Sequence, residues 1–483
     1  MIDTRVIILN RLMNWVMVDP MSLFWLAGMT GTGKTSIALT LCRMLATNRS
    51  VILGGTFFCS RSAGSIARTK VQCILPTLAA SLARRFPEFA DALSAELDEE
   101  PLVAHKPVHE QIVPLLLKPL AKLPSTTKPV VFVIDALDEC SDANELVDLI
   151  TGIAEFKSDV SVKFILTSRP EMRIRGTAIA NPDHNTIFQL HMISQEEVEA
   201  DIRRYITGTL QASKHPTGWY SDEDVDALVG LSHGLFIYAA TVLRYIMGRE
   251  NVTDCVSRLR RITSAAPAGS AATTSLYTIY EIVMLGASQG DILDEIERLM
   301  MQRVIACILA ARRSLSVQAL ADLLGDEVDR VRGSLERLHS VVFIPIEDAI
   351  PGLRMLHASF GDYLTSPETA ANIRIGPSLG DDALARGCLQ VMAMRLVFDI
   401  SHSRSSYEPN LPTKSDNVTL AIEYACMEWI YHVSRLTNPS ILDQDIYDLF
   451  RWRFMSWLEV MSSCGQVKRA AEMLELAVST VRT

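Results

Sequence analysis

The sequence predicts an α/β domain built on a parallel five-stranded sheet, followed by helical, winged-helix and all-α domains. Three observations carry this reading. Short, nearly continuous apolar runs alternate with helix-period segments as far as residue 192. A glycine-rich turn joins the first apolar run to the first helix of that alternation. From Ser194 onward the pattern is helical, apart from one short mixed stretch.

The 483 residues exceed what one compact core holds, and about three or four folded units are expected. Apolar residues make up 48% and charged residues 21%, a balance that buries cores and argues against disorder. The net charge of −10 is spread along the chain without blocks of like sign, so no nucleic-acid partner is expected. Nine cysteines lie far apart with no CxxC pair, which argues against a disulfide framework and a zinc site and fits a reducing, cytoplasmic compartment. The amino terminus lacks the pattern of an export signal, and no apolar window reaches about 18 residues, so no membrane span is expected.

Residues 1–17 read as a lead helix, with Val6, Leu9, Met13 and Val16 at helical spacing in TRVIILNRLMNWV (4–16). Residues 18–192 read as the sheet domain. Its strands are SLFWLAG (22–28), VILGGTFFCS (51–60), VVFVI (130–134), VKFILT (162–167) and IFQL (187–190). Helical patterns fill 33–47, 68–97 and 107–122, until Pro124 and Pro129 break the chain. Such alternation implies right-handed crossovers and a doubly wound sheet. Residues 193–290 form a helical domain opening on an S-x-x-E cap at Ser194 and Glu197, with the Ala/Gly/Ser/Thr stretch 263–275 as its expected hinge. Residues 291–367 place helices at 292–311, 316–324 and 327–339, strands at 341–346 and 353–357, and a helix from Ala358, the order of a winged helix. Residues 368–483 return to helix, interrupted by a polar loop at 401–417.

The chemistry begins at Gly28, Met29, Thr30, Gly31, Thr32, Gly33, Lys34 and Thr35. A phosphate-binding loop needs glycines so that successive N–H groups turn inward, a lysine for the outer phosphates, and a hydroxyl for Mg²⁺. All are present in order between a strand and a helix, and predict a P-loop nucleoside triphosphatase. Asp135 then ends the apolar strand VVFVI and is placed to hold Mg²⁺ opposite Lys34 and Thr35. Asp138 and Glu139 follow; either could polarise the water that attacks the γ-phosphate, and Glu139 is favoured. A solvated strand-end cap is the competing reading of this acidic cluster. The phrase FILTSRP (164–170) brings Arg169 to the carboxyl end of another strand, within reach of a γ-phosphate. A surface arginine before a proline turn is the alternative there.

Two other patterns carry less. TKSD (413–416) imitates a guanine-reading motif but lies far beyond the sheet in a Pro/Ser-rich loop. His105 and His109 precede Glu110, yet Pro107 interrupts a helix between them and no further ligand cluster accompanies them.

Taken together, WLAGMTGTGKT, GGTFFCSR with ILPTLAASLA, VVFVIDALDEC and FILTSRPE resemble the NACHT branch of the STAND signal-transduction ATPases, and most closely its fungal members. The resemblance extends through LVGLSHGLFIYAATVLRYI, LSVQALADLLG, LERLHSVVFIP and LRMLHASFGDYL to AIEYACMEWIYHV in the tail, and so covers nearly the whole chain. It implies that Gly28–Thr35 holds ATP/ADP or GTP, that Thr35 and Asp135 hold Mg²⁺, that Asp138 with Glu139 handles the hydrolytic water, and that Arg169 senses the γ-phosphate. His357 falls where related switches have a winged-helix histidine that touches the β-phosphate of bound ADP. The aspartate usual after that histidine is Ala358 here, and Gly234-Leu-Phe236 stands where some relatives have Gly-Leu-Pro against the base.

The implied function is a slow, nucleotide-dependent signalling switch of the NOD-like-receptor type, acting in self/non-self recognition or cell death. ADP clamps its domains, and ATP lets them open and self-associate. Such proteins carry an effector domain and a repeat array that these residues do not match. The expectation is a core lacking both: a fragment, a partial gene reading, or a regulator associating with longer relatives. The alternative function is a truncated nucleotide-binding interaction module with negligible turnover.

Overall fold

The computed structural model describes residues 4–60, 66–123, 128–155, 160–170, 185–213, 218–248, 252–265, 272–288, 295–402 and 417–481. The chain divides into two compact units, the first reaching to Ile279 and the second running from Tyr280 to the carboxyl end. Residues 266–271 of the expected hinge, the polar loop from 403 to 416 and with it TKSD lie outside the described residues.

The first unit is built on a sheet of five parallel strands: β1 (Leu23–Ala27), β2 (Ile52–Phe58), β3 (Val130–Asp135), β4 (Val162–Ser168) and β5 (Asn185–Gln189), in the order β2-β3-β4-β1-β5. Every residue of β1, β3 and β4 is buried, as expected of parallel strands covered on both faces. The period of two divides their side chains between the faces. Leu23, Trp25, Phe132, Ile134, Phe164 and Leu166 join one core with the helices Ile74–Ala83, Pro87–Glu99 and Ala143–Ala154. Phe24, Leu26, Val131, Val133 and Ile165 join the other, with the helices Val6–Val18 and Lys34–Thr47.

Three local expectations are corrected. The lead helix buries Ile8, Leu9, Leu12, Trp15 and Val16 and leaves Val6 outside, because Trp15 packs edge-on to Phe24 at 5.3 Å and sets the buried face. The helical stretch expected at 68–97 is two helices separated before Pro87, which occupies the first position of the second. The segment 107–122 is α-helical only at Val108–Ile112 and Lys118–Leu120. Between them Val113–Leu117 forms a π-turn, since Pro114 and Pro119 have no N–H to continue the ladder.

The unit continues in helices Gln195–Gln211, Asp222–Ser232, Phe236–Met247 and Val252–Ala265. Ser194 caps the first of these, its hydroxyl accepting from the Glu197 N–H.

In the second unit, helices Glu295–Ala310, Val317–Leu324 and Val328–Glu336 precede an antiparallel pair, β6 (Val342–Phe343) and β7 (Arg354–Met355), and the helix Ala358–Thr365. The helix Leu379–Arg395 packs on Glu295–Ala310 and Val317–Leu324 through two glycines: a Cβ on Gly380 would lie 2.1 Å from the Ala306 carbonyl, and one on Gly387 2.0 Å from that of Leu323. Helices Leu420–Ser434, Asp443–Asp448, Phe454–Ser463 and Val467–Val481 follow. Among the described residues, no helix is long and apolar enough to cross a membrane.

Candidate functional site

Parallel pairing brings the carboxyl ends of β1, β3 and β4 to one edge of the sheet: Ala27 stands level with Ser168 and Ile134 with Leu166. Ligands of open α/β sheets bind along this edge. The Gly28 N–H donates to the Ser168 carbonyl (3.1 Å), and the Trp25 indole donates to the Ser168 hydroxyl (2.8 Å), tying the start of the loop to the end of β4.

Gly31 and Gly33 adopt φ of +80° and +93°, the left-handed region where a side chain is strained, and Gly33 caps the helix Lys34–Thr47. The loop thereby ends on a helix amino terminus, which favours an anion. Lys34 Nζ donates to the carbonyls of Gly28 (2.6 Å) and Met29 (3.0 Å), and the Thr32 hydroxyl donates to Met29 (2.8 Å). Met29 and Thr35 are exposed, whereas Thr30 is half-buried. Burial pushes the Lys34 ammonium below its usual range. Asp138, Asp135 and Glu139 pull it back up and Arg169 opposes them, so the structure gathers these five side chains into one electrostatic cluster.

Asp135 is buried, and its Oδ1 accepts from the Thr167 hydroxyl at 2.6 Å. Burial pushes its carboxyl up, against hydrogen bonds from Thr167 and Thr35 and the Lys34 charge. Thr35 hydroxyl and Asp135 carboxylate are hard oxygen donors of the kind Mg²⁺ takes, so the donor set fits that ion. The chain then turns sharply through Ala136, whose φ of +56° is left-handed and whose N–H donates to the Thr167 hydroxyl (3.0 Å).

A 3₁₀ turn, Leu137–Glu139, carries the next two carboxylates. Asp138 holds Arg169 with both oxygens: Oδ1 accepts the Arg169 N–H (2.9 Å) and Oδ2 lies 3.0 Å from its Nε. Glu139 is half-buried beside them.

Two neighbours of the loop stand outside the predicted site residues. Arg5, with a left-handed φ of +58°, is buried at 4% exposure, and its Nη2 donates to the Thr32 carbonyl at 3.0 Å. Its guanidinium lies over the Phe236 ring (4.8 Å), and its backbone N–H donates to Asp201 (3.0 Å). Nε and Nη1 of Arg5 and the hydroxyl of Thr4 are buried without a hydrogen-bond partner. The other neighbour is the start of the helix Phe236–Met247. His233 and Gly234, with φ of +45° and +79°, turn it onto the loop, where the Ile237 N–H donates to the Gly31 carbonyl at 3.2 Å. Gly234-Leu-Phe236 was the visible signal; nothing in the apolar pattern marked Arg5.

His357 belongs to the second unit, where it caps the helix Ala358–Thr365. Its Nδ1 accepts the Ser359 N–H (3.1 Å). The Ser359 hydroxyl lies 2.7 Å from both Nδ1 and the Tyr280 hydroxyl. His109 lies 3.6 Å from Asp148 and 3.9 Å from Glu110.

A protein-family model described as nephrocystin 3, N-terminal, matches residues 6–169. No curated protein matches the chain. Among solved structures, the chain is similar to a STAND protein with a tetratricopeptide repeat sensor from Pyrococcus horikoshii, at 11% identity and a TM-score of 0.40 over 98% of this chain. It spans 57% of that protein's length. It is also similar to Cdc6p from Pyrobaculum aerophilum (10% identity, TM-score 0.34, covering 75% of this chain and 94% of that one). A third likeness is to the Drosophila ORC bound to DNA (13%, 0.33, covering 74% and 83%). The fold is an α/β P-loop NTPase sheet followed by a mostly helical region.

Proposed function

We propose that the chain is a nucleotide-operated switch of the STAND type that binds ATP or GTP and hydrolyses it slowly. The observation that carries this reading is the clustering of Lys34, Asp135, Asp138, Glu139 and Arg169 at the sheet edge where the loop Gly28–Thr35 meets its helix. The family match over 6–169 supports it, since that stretch contains every one of these residues.

Backbone N–H groups of the loop and the Lys34 ammonium bind the phosphates. The Thr35 hydroxyl and the Asp135 carboxylate would hold Mg²⁺, which supplies charge neutralisation at the phosphate oxygens. Glu139 orients the attacking water and takes its proton, while Asp138 holds Arg169 with both oxygens. Held in this way, Arg169 is positioned at the end of β4 for the charge that develops on the γ-phosphate.

The NACHT identity, the fungal kinship and the winged-helix reading of residues 291–367 belong to this proposal. So do the cytoplasmic setting, contact of His357 with a β-phosphate, self-association or pairing with related chains, and a role in self/non-self or cell-death signalling. Exchange of ADP for ATP biases a two-state arrangement of the domains. One observation favours the second reading, a binding module with negligible turnover: Lys34 donates to its own loop carbonyls.

The deciding experiment measures nucleotide retained after purification and then single-turnover hydrolysis. Bound ADP or ATP, with turnover abolished by Glu139→Gln and binding lost in Lys34→Ala, is expected. Turnover indifferent to Lys34→Ala would sink the catalytic reading, and tight binding without turnover would select the module.

A further inference from the structure

Cys59 and Cys140 stand 81 residues apart in the chain, yet their sulfurs lie 3.4 Å from each other. Backbone bonds bring them together. Cys59 follows β2, and its N–H donates to the Asp135 carbonyl (3.0 Å), extending the β2–β3 pairing by one residue. Cys140 closes the 3₁₀ turn that carries Asp138 and Glu139, with its N–H on the Leu137 carbonyl (3.1 Å). The Ser141 N–H then anchors the chain to the Thr69 carbonyl (2.9 Å). Both cysteines are free thiols; Cys59 is 4% exposed and Cys140 is half-buried.

We propose that Cys59 and Cys140 are an oxidative modification site: a small-molecule disulfide of the glutathione class converts the two thiols into an intramolecular disulfide that locks the Asp138–Glu139 turn. The half-buried Cys140 sulfur is the entry point. It attacks one sulfur of the oxidised reagent, forming a mixed disulfide and releasing the first reagent thiol, which carries away the Cys140 proton. Cys59 then attacks the Cys140 sulfur and releases the second reagent thiol with the Cys59 proton. Two protein thiols are oxidised, one reagent disulfide is reduced to two thiols, and no further reactant is needed.

Bond formation must draw the sulfurs from 3.4 Å to a covalent separation of about 2.0 Å. Cys59 is fixed by the strand pair, so the movement falls on the turn. Glu139 immediately precedes Cys140, and Asp138 precedes Glu139, so the pull is transmitted to the general base and to the carboxylate that grips Arg169. Slower hydrolysis in the oxidised form is the consequence, and this clause alone rests on the catalytic reading above.

The full-length chain is equilibrated with mixtures of oxidised and reduced glutathione, free thiols are alkylated, and the peptides are mapped by mass spectrometry. A Cys59–Cys140 cross-link lacking two hydrogens is expected in the wild type. In Cys59→Ser, a glutathione adduct should accumulate on Cys140, and Cys140→Ser should leave Cys59 unmodified. Full alkylation of both residues under oxidising mixtures, or cross-links joining other cysteines, would overturn the proposal. In parallel, oxidation should slow single-turnover hydrolysis about tenfold in the wild type, reversibly with dithiothreitol, and leave the turnover of Cys140→Ser, which has no entry thiol, unchanged. A mapped cross-link with unaltered turnover overturns the regulation. A chain that never hydrolyses fails the catalytic reading while the peptide map still decides the thiol chemistry.

Discussion

The Ile237 N–H donates to the Gly31 carbonyl at 3.2 Å, and a Cβ placed on Gly31 would lie 2.2 Å from Ile237 Cγ2. The helix Phe236–Met247 thus rests directly on the phosphate loop, and Gly31 is there both for its left-handed φ and for the close approach. These two costs can be separated. Gly31→Ala in the wild type should pay for the left-handed conformation, about 1–2 kcal/mol, and for the clash. In an Ile237→Ala background the 2.2 Å approach to Cγ2 is removed and only the closer of the remaining contacts, 3.1 Å to the residue 237 Cβ, persists beside the conformational cost, so the loss should be smaller. Denaturant unfolding of the four proteins tests this; equal losses in both backgrounds would mean that the helix does not bear on the loop.

The buried carboxyl of Asp135 weakens the fold at neutral pH. Burial raises its carboxyl pKa, so at neutral pH the folded state carries the penalty of a buried charge. As pH falls through the raised folded value towards the unfolded value of about 3.8, the folded state takes up the proton first and the penalty disappears. Asp135→Asn, which keeps an oxygen for Thr167, should therefore melt higher than wild type at pH 7 without nucleotide, by about 2–4 °C for each kcal/mol recovered. The advantage should vanish at acid pH, and hydrolysis should be lost. A lower melting temperature at pH 7 would contradict the assigned penalty.

Much of this architecture is legible in the sequence because parallel strands covered on both faces must be apolar throughout. VVFVI and FILT could be little else, and the loop and Asp135 follow from their position at strand ends. What escaped depends on tertiary contact. The buried stripe of the lead helix is set by Trp15 meeting Phe24, which periodicity alone does not reveal. Arg5 matters because of a left-handed turn and the Thr32 carbonyl it reaches. Cys59 and Cys140 meet only because β2 and β3 pair, and their wide spacing in the chain hides that.

Asp138 and Arg169 should act as one device. With both carboxylate oxygens engaged, removing either partner leaves the other without its fixed geometry. Asp138→Ala and Arg169→Ala are each expected to lower single-turnover hydrolysis by about 10²-fold. The double variant should be no slower than the slower single, the signature of strong coupling. Multiplicative losses would instead mean that Asp138 handles water independently of Arg169.

Arg5 brings a buried guanidinium to the loop with Nε and Nη1 unsatisfied, an arrangement that costs stability unless a ligand takes up those donors. Burial correspondingly lowers its pKa, against the raising effect of Asp201. Arg5→Met keeps the apolar stem against Phe236 while removing the donors. Its melting temperature without nucleotide should match or exceed that of wild type. Nucleotide affinity should fall at least tenfold, about 1.4 kcal/mol, with a correspondingly smaller ligand-induced rise in melting temperature. Calorimetric titration with ADP and ATP measures the first quantity and thermal unfolding the second. A variant that folds as well as wild type and binds nucleotide equally tightly would show that the Arg5 donors serve only the Thr32 carbonyl and the packing of the lead helix.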